Sequence, residues 1–255
     1  MSQCPLDGVL PPRSAILWLP GGAFLLRVPT CPIFAQRIWS ALLAAELPRL
    51  PGILELRYTL PADADTTLVQ VQDALRYLRN EGYEKVILAG DSAGGYLSLR
   101  ALLEGSEGVV GALAICPWLD LALSAPSLQR NRSFCFLSPS WLQVGRERFL
   151  QRLSSSPSKG LELARKFSLT QLTELQRLKL SKLQQTGGSS PVLLVAGELD
   201  ALCDDASALA AVSPGLVQSV EVAGFHDALL LPLLGHPSHA LAYEKMAIWA
   251  LKLLR

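Results

Sequence analysis

The sequence predicts an α/β fold: one doubly wound, mostly parallel sheet carrying a helical cap insertion. Three patterns carry this expectation. Short aliphatic runs recur, and they are continuously apolar, as strands covered on both faces must be. Segments of helical periodicity separate them, and such alternation implies βαβ units with right-handed crossovers. One long interval between two strands lacks strand character altogether.

In chain order, the strand Ala15–Leu19 (AILWL) precedes helical periodicity over Cys31–Leu47. The strand Gly52–Arg57 (GILELR) precedes a helix over Asp63–Asn80, and Lys85–Ala89 (KVILA) precedes one over Ala93–Glu104. Val109–Ile115 (VVGALAI) leads into the strandless interval, Leu121–Ser190. That interval holds turn signals at Ser138-Pro139-Ser140 and Ser154 to Gly160, then a charged helical stretch, Leu161–Gln185, with Thr186–Ser190 as return linker. It reads as a cap over the sheet's C-terminal edge, or as an ordinary peripheral helix pair. Pro191–Ala196 (PVLLVA) with Asp204–Val212, then Leu216–Val222 (LVQSVEV) with Ser238–Leu254, complete the alternation. The chain is expected to form a single domain over 1–255, with 121–190 as the insertion.

Half of the 255 residues are hydrophobic and 18% are charged, which supplies a large core and excludes a disordered chain. A net charge of +1, with no basic stripe, argues against nucleic-acid partners. No apolar run approaches the roughly 18 residues a membrane span needs, and the N-terminus lacks a secretory pattern. The five cysteines are odd in number and show no CxxC spacing, so neither a disulfide framework nor a metal site is expected. A cytoplasmic protein without cofactor is the resulting expectation. Cys203 is singled out only because it lies three residues beyond a candidate catalytic acid, and it otherwise reads as a small buried hydrophobe.

The strongest chemical signal is Gly90-Asp91-Ser92-Ala93-Gly94-Gly95, between a strand and a helical run. A serine on so sharp a strand–turn–helix elbow needs tiny neighbours two residues away on both sides, and the helix N-terminus aims free N–H groups at it. Ser92 is thus the candidate nucleophile. Two glycines follow the first strand in Pro20-Gly21-Gly22-Ala23-Phe24, so the amides of Gly21, Gly22 and Ala93 are the candidate oxyanion hole.

Of the three histidines, His226 follows the last strand and is the candidate base. His236 and His239 read as surface residues opening the final helix rather than as a metal pair. In Gly197-Glu198-Leu199-Asp200-Ala201-Leu202-Cys203-Asp204-Asp205, Asp200 is the candidate orienting acid, with Glu198 and Asp204 as alternatives. Phe24, Trp118, Phe134, Phe136 and Trp141 either line an apolar substrate pocket or pack the core.

Together these segments resemble the hormone-sensitive-lipase-like esterase branch of the α/β-hydrolases. The likeness runs from Ala15 to the C-terminus and rests on PGGAF, Arg57-Tyr58-Thr59-Leu60-Pro61, GDSAGG, Cys116-Pro117-Trp118-Leu119-Asp120, GELDALCDD and GFHD. The resemblance implies triad roles for Ser92, Asp200 and His226, and an oxyanion hole at Gly21, Gly22 and Ala93. Two departures stand out. Pro20 replaces the family's histidine, and only about 14 residues precede the first strand where relatives carry a cap helix and edge strands, so the fold is expected to be N-terminally trimmed.

The expected reaction is cleavage of a carboxylic ester with a small to medium hydrophobic acyl group, through an acyl-enzyme on Ser92. Acyl transfer, thioester cleavage and a non-hydrolytic cyclase or lyase reaction use the same site, and a non-catalytic ligand-binding scaffold is the remaining class. A homodimer is expected to cover the apolar surface left by the short N-terminus.

Overall fold

The computed structural model describes residues 13–45, 50–151, 157–231 and 235–255. Six strands form one parallel sheet in the order β2-β1-β3-β4-β5-β6. They are β1 (Arg13–Leu19), β2 (Gly52–Glu55), β3 (Tyr83–Asp91), β4 (Val109–Ile115), β5 (Val192–Gly197) and β6 (Val217–Val222). Each expected strand is present, within about two residues at most ends.

Alternate residues of each strand face opposite sides, and both sides are covered. Ile16 and Trp18 of β1, with Ile87 and Ala89 of β3, meet α1 (Cys31–Ala44) and α9 (Pro237–Leu254). Trp18 stacks on Phe34 of α1 with ring centroids 4.3 Å apart. Ala15, Leu17, Leu88 and Leu194 face the other layer, formed by α2 (Ala64–Asn80), α3 (Ser92–Glu104), α7 (Glu174–Gly187) and α8 (Cys203–Val212). The doubly wound arrangement follows directly from strands that are apolar on both faces.

Between β4 and β5 lie α4 (Ser127–Arg130), α5 (Pro139–Leu150), α6 (Pro157–Phe167) and α7. The expected single stretch over Leu161–Gln185 is two helices, because a non-helical stretch between them ends in a capping box at Thr173 and Gln176. Ser138-Pro139-Ser140, read as a turn, instead starts α5: the Ser138 side chain accepts from Trp141 N, and proline occupies the first turn. Part of the Ser154–Gly160 turn signal lies outside the described residues. α7 packs on α3 and β4, which makes it the crossover helix of the sheet. No described helix is long and apolar enough to cross a membrane.

Candidate active site

β3 delivers Ser92 to the C-terminal edge of the sheet. Ser92 adopts φ 52, a left-handed conformation that costs an L-residue about 1–3 kcal/mol and holds its side chain on the turn. The neighbouring glycines are required. A Cβ on Gly94 would overlap the Leu19 carbonyl, and one on Gly90 would strike both Leu19 O and the Gly94 backbone. The elbow is pressed against the end of β1, where no side chain fits. α3 starts at Ser92, so Ala93 N–H lies in its first turn without an intrahelical acceptor.

Asp200 leaves β5 and His226 leaves β6, at the same edge. Asp200 Oδ1 lies 3.0 Å from His226 Nδ1, and both residues are buried. The acid is itself held: Oδ1 also accepts from Leu202 N at 3.0 Å, and Asn131 Nδ2 donates to Asp200 O at 2.8 Å. Of the alternatives, Glu198 is exposed. Asp204 is engaged by Arg130 at 2.6 Å and by Ser127 N at 2.9 Å, and the Arg130 bond holds its carboxyl below the usual carboxylate range. The structure thus brings Asp200, and neither alternative, to the imidazole.

Among the described residues, no hydrogen bond joins Ser92 Oγ to His226. The Nε2 face of the ring instead meets Asp227 Oδ2 at 3.3 Å. Burial by itself lowers the His226 pKa, but the charges of Asp200 and Asp227 more than offset that and push it up to about 10.

The loop after β1 is braced on the β2 side. Tyr58 donates its hydroxyl to Pro20 O at 2.5 Å, Arg27 donates to Tyr58 O at 2.8 Å, and Ala62 N donates to Phe24 O at 2.7 Å. A proline therefore stands in for histidine without leaving the loop unsupported. One expected oxyanion donor is corrected: Gly21 N donates to Asp91 Oδ1 at 3.0 Å and is not free. The physical reason is that Gly21 packs directly on the Asp91 carboxylate, which no Cβ obstructs. The amides of Gly22, Ala23 and Ala93 donate to no protein acceptor among the described residues.

The aromatic expectation divides. Phe24 and Trp118 are fully buried, so they are core and not pocket lining. Phe24 stacks on Phe149 of α5 at 4.0 Å and packs against Trp118 and Tyr96, which fixes the oxyanion loop to the covering helix. Phe134 and Trp141 are exposed. Phe136, 68% exposed, sets its ring edge-on to His226 at 5.8 Å and to Phe225 at 6.1 Å.

Cys31, Cys116, Cys135 and Cys203 are free and buried, and Cys4 lies outside the described residues. Cys203 Sγ lies against Asn131 and Arg130 behind the acid loop. Cys116 Sγ, an Asp200 oxygen and a His226 nitrogen lie within 4.8 Å of one another. Within that trio Asp200 Oδ1 and His226 Nδ1 are already joined to each other. His236 caps α9 by accepting from Ser238 N, as a helix-opening residue does. His239 departs from the surface expectation: it is buried, with Nε2 2.7 Å from Ala223 O.

Residues absent from the sequence reading complete the site. Asp91 and Asp227 flank the nucleophile and base in the chain, so their proximity was legible in GDSAGG and GFHD. Tyr58 lies in the quoted Arg57–Pro61 motif, though its bond to Pro20 was not legible there; Asn131 and Thr30 come from distant segments, and no local pattern marks them. A strained serine at a helix N-terminus, an aspartate–imidazole pair and unoccupied backbone donors are the parts of an acyl-transfer centre.

Comparison with known proteins agrees with this geometry. The profile of the alpha/beta hydrolase fold family matches residues 16–228. Esterase LipU of Mycobacterium tuberculosis (strain ATCC 25618 / H37Rv) is 39% identical over 126 residues, which cover 46% of this chain and 40% of that protein. Carboxylesterase/phospholipase LipF of the same strain is 39% identical over 113 residues, 42% of this chain and 29% of that protein. The matched segment thus spans less than half the length of these curated relatives. An esterase from the bacterial hormone-sensitive lipase family superposes with a TM-score of 0.71 at 20% identity, covering 95% of this chain and 77% of that one. Carboxyl esterase 2 from the fungus Tuber melanosporum gives 0.74 at 17% identity, covering 97% and 80%. With the profile covering most of the chain and the elbow, acid and histidine in their places on the sheet, the chain belongs to the alpha/beta hydrolase fold family.

Proposed function

We propose that this protein hydrolyses carboxylic esters of small to medium hydrophobic acids through an acyl-enzyme on Ser92. One observation carries the reading: the Asp200–His226 pair stands at the same sheet edge as a serine held in a strained elbow. His226 Nε2 takes the Ser92 proton as Oγ attacks the ester carbonyl. Asp200 fixes the ring tautomer and stabilises the imidazolium. The oxyanion is received by the amides of Gly22 and Ala93, with Ala23 in place of the expected Gly21. Each such donor contributes about 3 kcal/mol to the transition state. The alcohol departs with the proton from His226, and water activated by the same nitrogen releases the acid.

The cover over this site is α5 with the segment 131–138, a narrower cap than 121–190. The exposed ring of Phe136 contacts the apolar part of the substrate. The thiols, free and buried where described, suit a cytoplasmic setting. Trp39, Leu43, Leu241 and Ile248, exposed on α1 and α9, support a homodimer, which sedimentation velocity tests.

The decisive experiment is turnover of short-chain p-nitrophenyl esters by the parent chain and by Ser92→Ala. Loss of turnover, with loss of fluorophosphonate labelling, is expected. Turnover that survives in Ser92→Ala overturns the reading.

A further inference from the structure

The catalytic reading leaves two carboxyl groups near His226 without a role, Asp91 fully buried and Asp227 partly buried. Asp91 precedes Ser92 at the end of β3, and Asp227 follows His226 in a left-handed conformation with φ 55. Asp227 Oδ2 lies 3.3 Å from Nε2, the atom that must take the serine proton. Asp227 Oδ1 and Asp91 Oδ2 are both shielded from solvent, and neither meets a donor among the described residues. The two carboxyl groups act on each other electrostatically. Two shielded carboxylate oxygens that meet no donor and act on each other cannot both stay charged at low cost, because like charges repel strongly in a buried site, and one proton relieves both.

The position of the proton follows from the remaining contacts. Asp91 Oδ1 already accepts from Thr30 Oγ1 at 2.8 Å and from Gly21 N at 3.0 Å, and two donors stabilise an anion. Asp227 has only Nε2 on its other oxygen. We propose that, in the working enzyme, one proton is held on Asp227 and donated to the Asp91 carboxylate, and that it keeps His226 competent as a base by removing a negative charge from beside Nε2. The proposal rests on the assignment of His226 as base. Asp91 and Asp227 are then positioning residues that set the proton affinity of the imidazole.

The electrostatics agree. Burial pushes Asp91 up to about 6 in spite of the Thr30 and Gly21 bonds, and burial raises Asp227 well above the ordinary carboxylate range. A charged Asp227 adds to the pull of Asp200 toward the protonated imidazole and so opposes transfer of the serine proton to Nε2. Of the groups around the cluster, Arg27 stands beside Tyr58 and Arg37 beside Tyr243, and both are charged; the thiols and phenols are neutral at neutral pH. Burial pushes Cys31 up to about 11, and it raises Tyr58, Tyr243 and Cys116 as well. Cys135 adds a thiol beside Asp200. Asp200 holds the other side of the ring through Nδ1.

The test is the titration of the His226 imidazole, followed by NMR in the parent chain, D91N, D227N and the double variant, together with the acid limb of kcat/KM against pH. The asparagine introduced by D91N keeps the acceptor used by Gly21 and Thr30, while its amide N–H faces Asp227 and stabilises it ionised. D91N is therefore expected to raise the His226 midpoint by about 1–3 pH units and to move the acid limb with it. D227N mimics the protonated acid and leaves the midpoint within a few tenths of a unit. The double variant leaves no charge on the pair and brings the midpoint back to the parent value or below it. A downward shift of a unit or more in D227N, or no shift in D91N, overturns the proposal. The NMR titration needs no substrate, so a protein that turns over no ester loses the functional reading while this one is still decided; thermal unfolding confirms that each variant is folded.

Discussion

Gly145 offers a test of how tightly the covering helix controls the oxyanion loop. It sits in the interior of α5, where helix propensity alone predicts that alanine stabilises by about 1 kcal/mol. The tertiary contact opposes this. A Cβ at Gly145 would overlap the Ala23 carbonyl oxygen by about 1 Å. It would also stand 3.2 Å from Ala23 C and 3.3 Å from its Cβ. Backbone, not a flexible side-chain end, has to move. Overpacking of this kind costs about 1–3 kcal/mol, so the clash cancels or outweighs propensity and leaves a net loss of up to about 2 kcal/mol. For a chain of this size that corresponds to a Tm lower by up to about 8 °C. If the loop yields and not the helix, the amides of Gly22 and Ala23 move, and kcat for a short-chain ester falls by up to about 100-fold. Calorimetry and steady-state kinetics on Gly145→Ala measure both. A Tm at or above the parent value with unchanged kcat would refute the claim that α5 bears on this loop.

Three further outcomes follow from named contacts. Tyr58→Phe leaves the Pro20 carbonyl without its donor and is expected to destabilise the fold by about 1–3 kcal/mol in chemical denaturation, with kcat lowered more than KM is changed. Asp205 is buried, accepts from Leu119 N and Asp120 N, and burial pushes it up to about 8. Because its folded pKa exceeds the unfolded value, its favourable contribution is complete at acid pH and is lost as pH rises through about 8. Asp205→Asn should therefore gain stability relative to the parent between pH 5 and about 8; denaturation midpoints that stay parallel across that range contradict it. Phe136→Ala removes an exposed ring and should change stability by less than about 0.5 kcal/mol. It should also raise KM for longer acyl chains more than for acetate; equal changes across chain lengths remove Phe136 from the substrate contact.

The elbow was legible because its requirements are local. Gly90, Ser92 and Gly94 are neighbours in the chain, and steric exclusion at a tight turn leaves only one kind of residue at the flanking positions. The strands were legible because burial on both faces writes an unbroken apolar run. α5 was misread because Ser-Pro-Ser serves both turns and helix starts, and only packing on Ala23 and Phe24 selects the helix. Gly21 was misassigned for a similar reason: a glycine's freedom to point its amide inward does not specify which acceptor it finds.

The sequence by itself determined the parallel sheet, the nucleophile and the short set of acids and histidines that can serve it, since periodicity and turn sterics act within a few residues. Only the tertiary structure decided that Asp200 meets His226, that Phe24 and Trp118 are core, and that Asp227 stands against His226 Nε2. Those outcomes depend on how separate strand ends converge at one edge, where burial and charge between residues far apart in the chain set which contacts form.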